Sequence, residues 1–490
     1  MTNKNGGGHR VLLQKIARHA MLDKGFLVDF PAQALNSLNQ LKESEPAIRP
    51  PVRDLRDLPW CSIDNDDSED LDQLSVAVNM PSGEVKIMVA VADVDSLVDK
   101  NSLFEDHANH NTTSVYTSAI IFPMLPEKLS TDLTSLKWKA DRSAIVVEFV
   151  VAEDGSIEKT DIYPAIVHNQ AKLAYNSTNA WLEGKEKMPA PMESVPGLDQ
   201  NLKLQHVTAE KLRDLRYRNG ALNLETIEAR PVFKGDDVSN LEEEKMNEAK
   251  DIIQEFMICA NTVTARFLES VNFPSLRRVV RVPKRWDRIV ELAYSWKYIL
   301  PPNPDSKALD QFLMTAKSAD PTRFPDLSLS VIKLLGSGEY VVELPGEKST
   351  GHFGLAIKDY THSTAPNRRY PDLITQRLLK AALFKEEVPY TIEEMEGLAL
   401  HCTLMEDGAR KVERQVEKST AALLLGASIG KQFEAIVTGV SDKGTWVRIF
   451  NPPVEGKVVS GAGGLDVGNR VRVQLLETDV NRGFIDFKRL

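Results

Sequence analysis

The chain has 490 residues, of which 42% are hydrophobic and 27% charged, a balance that excludes a disordered polyelectrolyte and suits one large domain with smaller appendages. No apolar run is long enough to span a bilayer, and the polar, glycine-rich start from Met1 to Gly8 does not read as a secretory leader, so no membrane contact is expected. Cys61, Cys259 and Cys402 stand far apart in no metal-ligand spacing, which fits a reduced, cytoplasmic setting. The net charge of -10 excludes a uniformly basic surface, so any polyanion site must be a local concentration of cations.

In chain order, Leu12, Leu13, Ile16, Ala17, Ala20 and Met21 recur at helical spacing ahead of Gly25, which predicts a helix over 9–22. It belongs to a small helical N-terminal module, residues 1–50, readable either as a helix-turn-helix or as helices packed on the next domain. Glu45 to Pro51 forms a proline-marked linker. The run Asp64-Asn-Asp-Asp-Ser-Glu-Asp-Leu-Asp72 then lies between two apolar, strand-like segments. Asp70 and Asp72 are two apart, so on extended backbone their carboxylates share a face. With Asp64 they make a hard-oxygen set suited to Mg2+. Asn65 to Glu69 also reads as an ordinary solvated loop.

Residues 170–232 and 246–270 read as helical. In His362-Ser-Thr-Ala-Pro-Asn-Arg-Arg-Tyr-Pro-Asp372, Arg368 and Arg369 follow a proline-bearing loop and precede a helix-like segment. Guanidinium forks there suit phosphate oxygens, with surface ion pairing as the plainer use. The basic pairs Arg277-Arg278, Lys284-Arg285, Arg368-Arg369 and Arg410-Lys411 stand against the acidic run Glu242 to Glu244, which points to a buried basic channel in an acidic exterior. Residues 391–426 form another long helix. From Phe433 the texture becomes five short strands, the pattern of an OB-fold barrel over residues 429–490. Trp446, Arg448 and Phe450 alternate with period two; either they grip a single strand, or Trp446 and Phe450 fill the barrel.

The acidic and arginine stretches together resemble the ribonuclease II family. Its aspartate motif runs Ile-Asp, a short spacer, then Glu-Asp-x-Asp-Asp, and its arginine motif runs Thr-Ser-Pro-Ile-Arg-Arg-Tyr-x-Asp. Phe122 to Ser130, continuing through Leu133 to Leu136 and Asp141 to Ala144, is similar to the family segment that follows the aspartate motif. The resemblance covers roughly residues 50–425, and the barrel opening Ile436-Val-Thr-Gly-Val440 resembles the ribosomal S-one type RNA-binding domain.

This resemblance implies an α+β fold: a large mixed RNB catalytic domain over residues 51–428, the helical module before it and the barrel after it. It implies a monomeric, processive 3'-to-5' exoribonuclease that hydrolyses single-stranded RNA to nucleoside 5'-monophosphates with Mg2+ or Mn2+. Asp64, Asp70 and Asp72 match three of four metal-binding aspartates, Asp72 being the one most directly tied to the chemistry, and Arg368 or Arg369 would neutralise charge on the phosphate. Tyr116 matches an aromatic that stacks on a base near the 3' end; Glu255 and Glu413 match family glutamates, or serve as helix ion-pair partners, Glu413 with Arg410. Trp446 and Arg448 are the expected RNA contacts of the barrel. No tandem cold-shock barrels are expected ahead of the catalytic region.

The chain departs from the pattern twice. Gln73 replaces the fourth aspartate, for which Asp66 or Asp67 would compensate, and Leu224 replaces the second aromatic clamp. The first departure keeps an alternative open: a catalytically weak RNA-binding protein that retains the fold.

Overall fold

In the computed structural model, which describes residues 8–38, 51–244 and 246–490, a mixed seven-stranded sheet organises the main domain. Two helices precede it, α1 (His9–Asp23) and α2 (Ala32–Leu38). The strands are β1 (Arg53–Asp54), β2 (Cys61–Asp64), β3 (Gln73–Asn79) and β4 (Val85–Ala92). After helix α3 (Leu103–Asn111) and a small hairpin of β5 (Val115–Tyr116) and β6 (Ile121–Phe122) come β7 (Asp141–Val151), β8 (Ile157–His168) and β9 (Ala171–Ala174). They lie in the order β1-β8-β7-β4-β3-β2-β9.

The sheet is covered on both faces, which explains why β4 reads as a nearly unbroken apolar run. Ile87, Val89 and Val91 face the helices α4 (Tyr175–Leu182), α5 (Ala190–Glu193), α6 (Leu198–Arg218) and α7 (Glu248–Ser270). Met88, Ala90 and Ala92 face the opposite core, which contains Leu373, Ile374 and Leu378. A second hairpin, β10 (Glu228–Lys234) with β11 (Asp237–Glu244), precedes α7, and β12 (Ser275–Val279) pairs later with β13 (Glu339–Glu343). Between those last two strands, α8 (Trp286–Ser295), α9 (Ser306–Ala319) and α10 (Phe324–Leu335) enclose a separate small core.

Two helices complete the domain, α11 (Tyr370–Phe384) and α12 (Ile392–Leu425). Thr391 caps α12 by accepting from the Glu394 N–H, the sequence signal for its start. At 34 residues, α12 is about 50 Å long. It buries Met395, Ala399 and Cys402 in the main core, Val412 and Val416 against α1, and Ala421, Ala422 and Leu425 under the barrel. The barrel closes in the order β14-β15-β16-β18-β17, from β14 (Gln432–Ser441), β15 (Gly444–Ile449), β16 (Val454–Ser460), β17 (Arg470–Asp479) and β18 (Phe484–Arg489). No helix among the described residues is long and apolar enough to cross a membrane.

The structure bears on several expectations and corrects two of them. Residues 170–232 are not helical throughout: β9 joins β2 in parallel, and β10 begins at Glu228. Ala171 to Ala174 are good helix formers, but pairing with a buried strand overrides so weak a local preference. The turn Gly235-Asp236 at the tip of β10–β11, with Gly235 at φ 63°, was the available hairpin signal. Helix α1 is packed on the main domain, burying Ala17 and Met21 against Val115, Val412 and Val416, while α2 buries Ala34 and Leu38 in the main core. The proposed linker at 45–51 lies almost wholly outside the described residues. Arg277 and Arg278 line no basic channel: both are buried in β12, pairing with Glu343 at 3.2 Å and with Glu406 at 2.8 Å.

Candidate active site

The strand entry at Asp72 and the loop 363–369 ahead of α11 meet inside the protein, and Arg368 of that loop lines a cleft of about 1000 Å³. The Asn367 N–H donates to Asp72 Oδ1 at 2.9 Å, and Arg368 Nε stands 3.2 Å from Asp72 Oδ2. Asp72 is 2% exposed, and Oδ2 has no hydrogen-bond partner. Burial pushes its carboxyl up to about 7, against the lowering pull of Arg368 and of the Asn367 N–H. Asp64, Asp70, Tyr116, Arg368 and Glu413 line the cleft.

The two arginines face different ways. Arg368 lines the cleft, its side chain 39% exposed. Arg369, its side chain 30% exposed, is not among the cleft-lining residues; its Nη2 donates to Asp372 Oδ1 at 2.7 Å, and that same oxygen accepts from the Ala365 N–H at 2.8 Å. Arg368 is thus available to a phosphate, while Arg369 holds the loop.

The aspartates do not close into a cage. Asp70 Oδ2 accepts from the Tyr116 hydroxyl at 2.7 Å, and Asp64 Oδ1 accepts from Asn65 N and from Ser68 Oγ. Among the described residues no three His, Cys, Asp or Glu side chains are grouped to hold a metal ion. Mg2+ usually keeps its waters and is held by one or two carboxylates plus substrate phosphate. Asp70 and Asp64 on the cleft wall, with an Asp72 oxygen that makes no hydrogen bond and is met only by the Arg368 charge, fit that sparse mode of binding.

Residues 52–385 match the family described as RNB domain. The chain belongs to the RNB family. Residues 431–490 match the RNase II-type exonuclease C-terminal S1 domain. Ribonuclease R of Vibrio parahaemolyticus is 30% identical over 83% of this chain and 49% of its own length; that of Escherichia coli is 30% identical over 85% and 52%. The chain therefore spans about half the length of the curated relatives it matches. Mycoplasma genitalium RNase R in complex with ribose methylated single-stranded RNA has the same fold, with a TM-score of 0.87 at 22% identity over 99% of this chain and 79% of that one. Yeast Ssd1, described as a pseudonuclease, shares the fold with a TM-score of 0.71 at 16% identity, over 91% of this chain and 55% of that one.

Other residues expected from RNB-family resemblance are placed unevenly. Tyr116 is exposed on the cleft wall, and Glu413 of α12 accepts its backbone N–H at 3.1 Å. Burial raises the Glu413 carboxyl, and Arg410 pairs with Glu406 instead. Glu255 is not at the cleft: it is 1% exposed on α7 and bound by Arg216 of α6, an internal ion pair. Leu224 packs against the small helical core around α8–α10. Asp67 lines the cleft and pairs with Arg230 of the β10–β11 hairpin at 3.0 Å, while Asp66 is exposed away from the cleft lining. The amide of Gln73 donates to the Thr364 carbonyl.

On the barrel, Thr445, Val447 and Ile449 point inward and Trp446, Arg448 and Phe450 outward, so the aromatics do not fill the core. Lys457 Nζ lies 5.9 Å from the Trp446 ring. Arg448 is engaged with Asp326 of α10 at 2.9 Å, an ion pair that docks the barrel on the main domain. Arg10 of α1 and Arg230 and Phe233 of the hairpin also line the cleft, with the Arg10 guanidinium 4.2 Å above the Phe233 ring. No sequence motif marked them, because their proximity arises from the packing of α1 on the hairpin.

Proposed function

We propose that this protein is a processive 3'-to-5' exoribonuclease that hydrolyses single-stranded RNA to nucleoside 5'-monophosphates. The observation that carries the reading is the cation–carboxylate pair of cleft-lining Arg368 against buried Asp72. The named Ribonuclease R relatives support the same reaction class. Asp72, with Asp64 and Asp70, would hold a divalent cation, Mg2+ or Mn2+, whose chemistry when bound would be to activate water and offset phosphate charge. Arg368 donates to the phosphoryl oxygens as charge grows there. Tyr116 stacks on a base near the 3' end, and Glu413 fixes its backbone. Trp446 and Lys457 offer the incoming strand an aromatic face and a cation on the barrel. Three free, buried cysteines fit work in the reducing cytoplasm; that the protein acts as a monomer is part of the same proposal.

Incubating 5'-labelled oligo(A) with the protein and Mg2+ or Mn2+ tests this. Trimming to a short labelled limit product by wild type, and not by Asp72→Asn, is the expected result. The second reading, an RNA-binding protein that does not degrade, is favoured by one observation: position 73 carries an uncharged amide where the family pattern has a fourth aspartate. It predicts a gel shift with intact RNA under either cation.

A further inference from the structure

We infer that Gln73 is a positioning residue, a neutral clasp that holds the arginine loop in place rather than a weakened metal ligand. The inference rests on the exoribonuclease reading and deepens it. Asp72 and Gln73 are consecutive, and both grip the loop ahead of α11: Asp72 Oδ1 accepts from Asn367 N, and Gln73 Nε2 donates to the Thr364 carbonyl. The frame behind them is rigid. Gln73 opens β3 opposite Val91, and the Asp72 carbonyl accepts the Ala92 N–H at 3.0 Å.

The loop is pinned at each step toward Arg368. Ser363 N donates to Asn261 Oδ1 at 2.8 Å, and Ala365 N donates to Asp372 Oδ1 at 2.8 Å. Between those anchors Thr364 is buried, and its carbonyl takes the Gln73 amide. An aspartate at 73 is one methylene shorter and, ionised, only accepts hydrogen bonds; it has nothing to donate to a carbonyl. The buried carbonyl would then lose its donor and face a negative charge. A glutamine here trades a ligand charge for a fixed loop, and through the loop for a fixed distance between Arg368 and Asp72.

Gln73→Met removes the donor at similar length, and Gln73→Asp restores the family carboxylate. Both are expected to lower kcat about tenfold on oligo(A) with KM within about twofold, as for loss of one aligned hydrogen bond. Gln73→Met added to Arg368→Ala is expected to cost nothing further, because the clasp acts through Arg368; a purely structural role would leave the two costs additive. In calorimetric titration with Mn2+, Gln73→Asp should bind no more ions per chain than wild type. By hydrogen exchange, the amides of 363–368 should exchange faster in Gln73→Met than in wild type, with the barrel unchanged as the check on folding. An extra Mn2+ and a higher kcat in Gln73→Asp, or unchanged exchange of the loop in Gln73→Met, would overturn the clasp. If wild type trims no RNA with either cation the exoribonuclease reading fails, while exchange and Mn2+ titration still decide the clasp.

Discussion

Replacing Arg368 and Arg369 separately by alanine should produce opposite defects, although the two residues are adjacent and chemically identical. Asp372 is 0% exposed, and its Oδ1 takes the Arg369 guanidinium while Oδ2 has no partner. Arg369→Ala leaves that carboxylate only the Ala365 N–H, and breaking a buried pair from one side costs up to about 3–5 kcal/mol. That is a large share of the 5–15 kcal/mol, roughly, that holds a domain together. Arg368→Ala differs because its partner can adjust. The Asp72 carboxyl is already pushed up to about 7 by burial, so it takes up a proton near neutrality when the arginine is lost. Little stability should go, but the rate should fall about 10²–10³-fold, the cost of one charge-stabilising donor. Urea melts followed by circular dichroism, beside initial rates on 5'-labelled oligo(A), separate the two. Wild-type stability in Arg369→Ala together with a rate loss equal to that of Arg368→Ala would refute the assignment.

Tyr116→Ala should lengthen the limit product by removing a stacking face worth about 1–3 kcal/mol, whereas Tyr116→Phe should leave product length unchanged on a sequencing gel, since only the bond to Asp70 is lost. Arg448→Ala and Asp326→Ala should each loosen the barrel, seen as faster proteolysis near residues 426–432, and a double-mutant cycle should return a coupling of about 1–3 kcal/mol. Acid should destabilise the fold through His107, which stacks on Phe30 at 4.0 Å and whose pKa burial holds down to about 4. The folded ring stays neutral while the unfolded chain takes up a proton below its ordinary value near 6.5. This group's stabilisation is therefore fully present above pH 6.5, and about 3 kcal/mol of it is lost as pH falls to about 4. His107→Gln should flatten the slope of urea midpoint against pH across that window; an unchanged slope would count against the assignment.

Local chemistry by itself determined much of this protein. The apolar run of β4, the helical period of α7, the Thr391 cap of α12 and the closely spaced strands after Phe433 each encode an element through contacts within a few residues or through a single buried face. The acidic run and the arginine pair were legible for the same reason, since both cluster unusual side chains in short stretches. What each member of those clusters does was decided elsewhere. Arg369 finds Asp372 within its own helix start, whereas Arg368 reaches the cleft; outside those clusters, Glu255 answers Arg216 and Arg448 answers Asp326. The partner of Asp72 lies 295 positions away at Asn367, and that of Gln73 lies 291 away at Thr364. Sequence pattern specifies which face a side chain occupies, because that follows from backbone period; the charge or carbonyl that meets it there is supplied by a distant segment, and only packing of the sheet against α11 and α12 brings the two together.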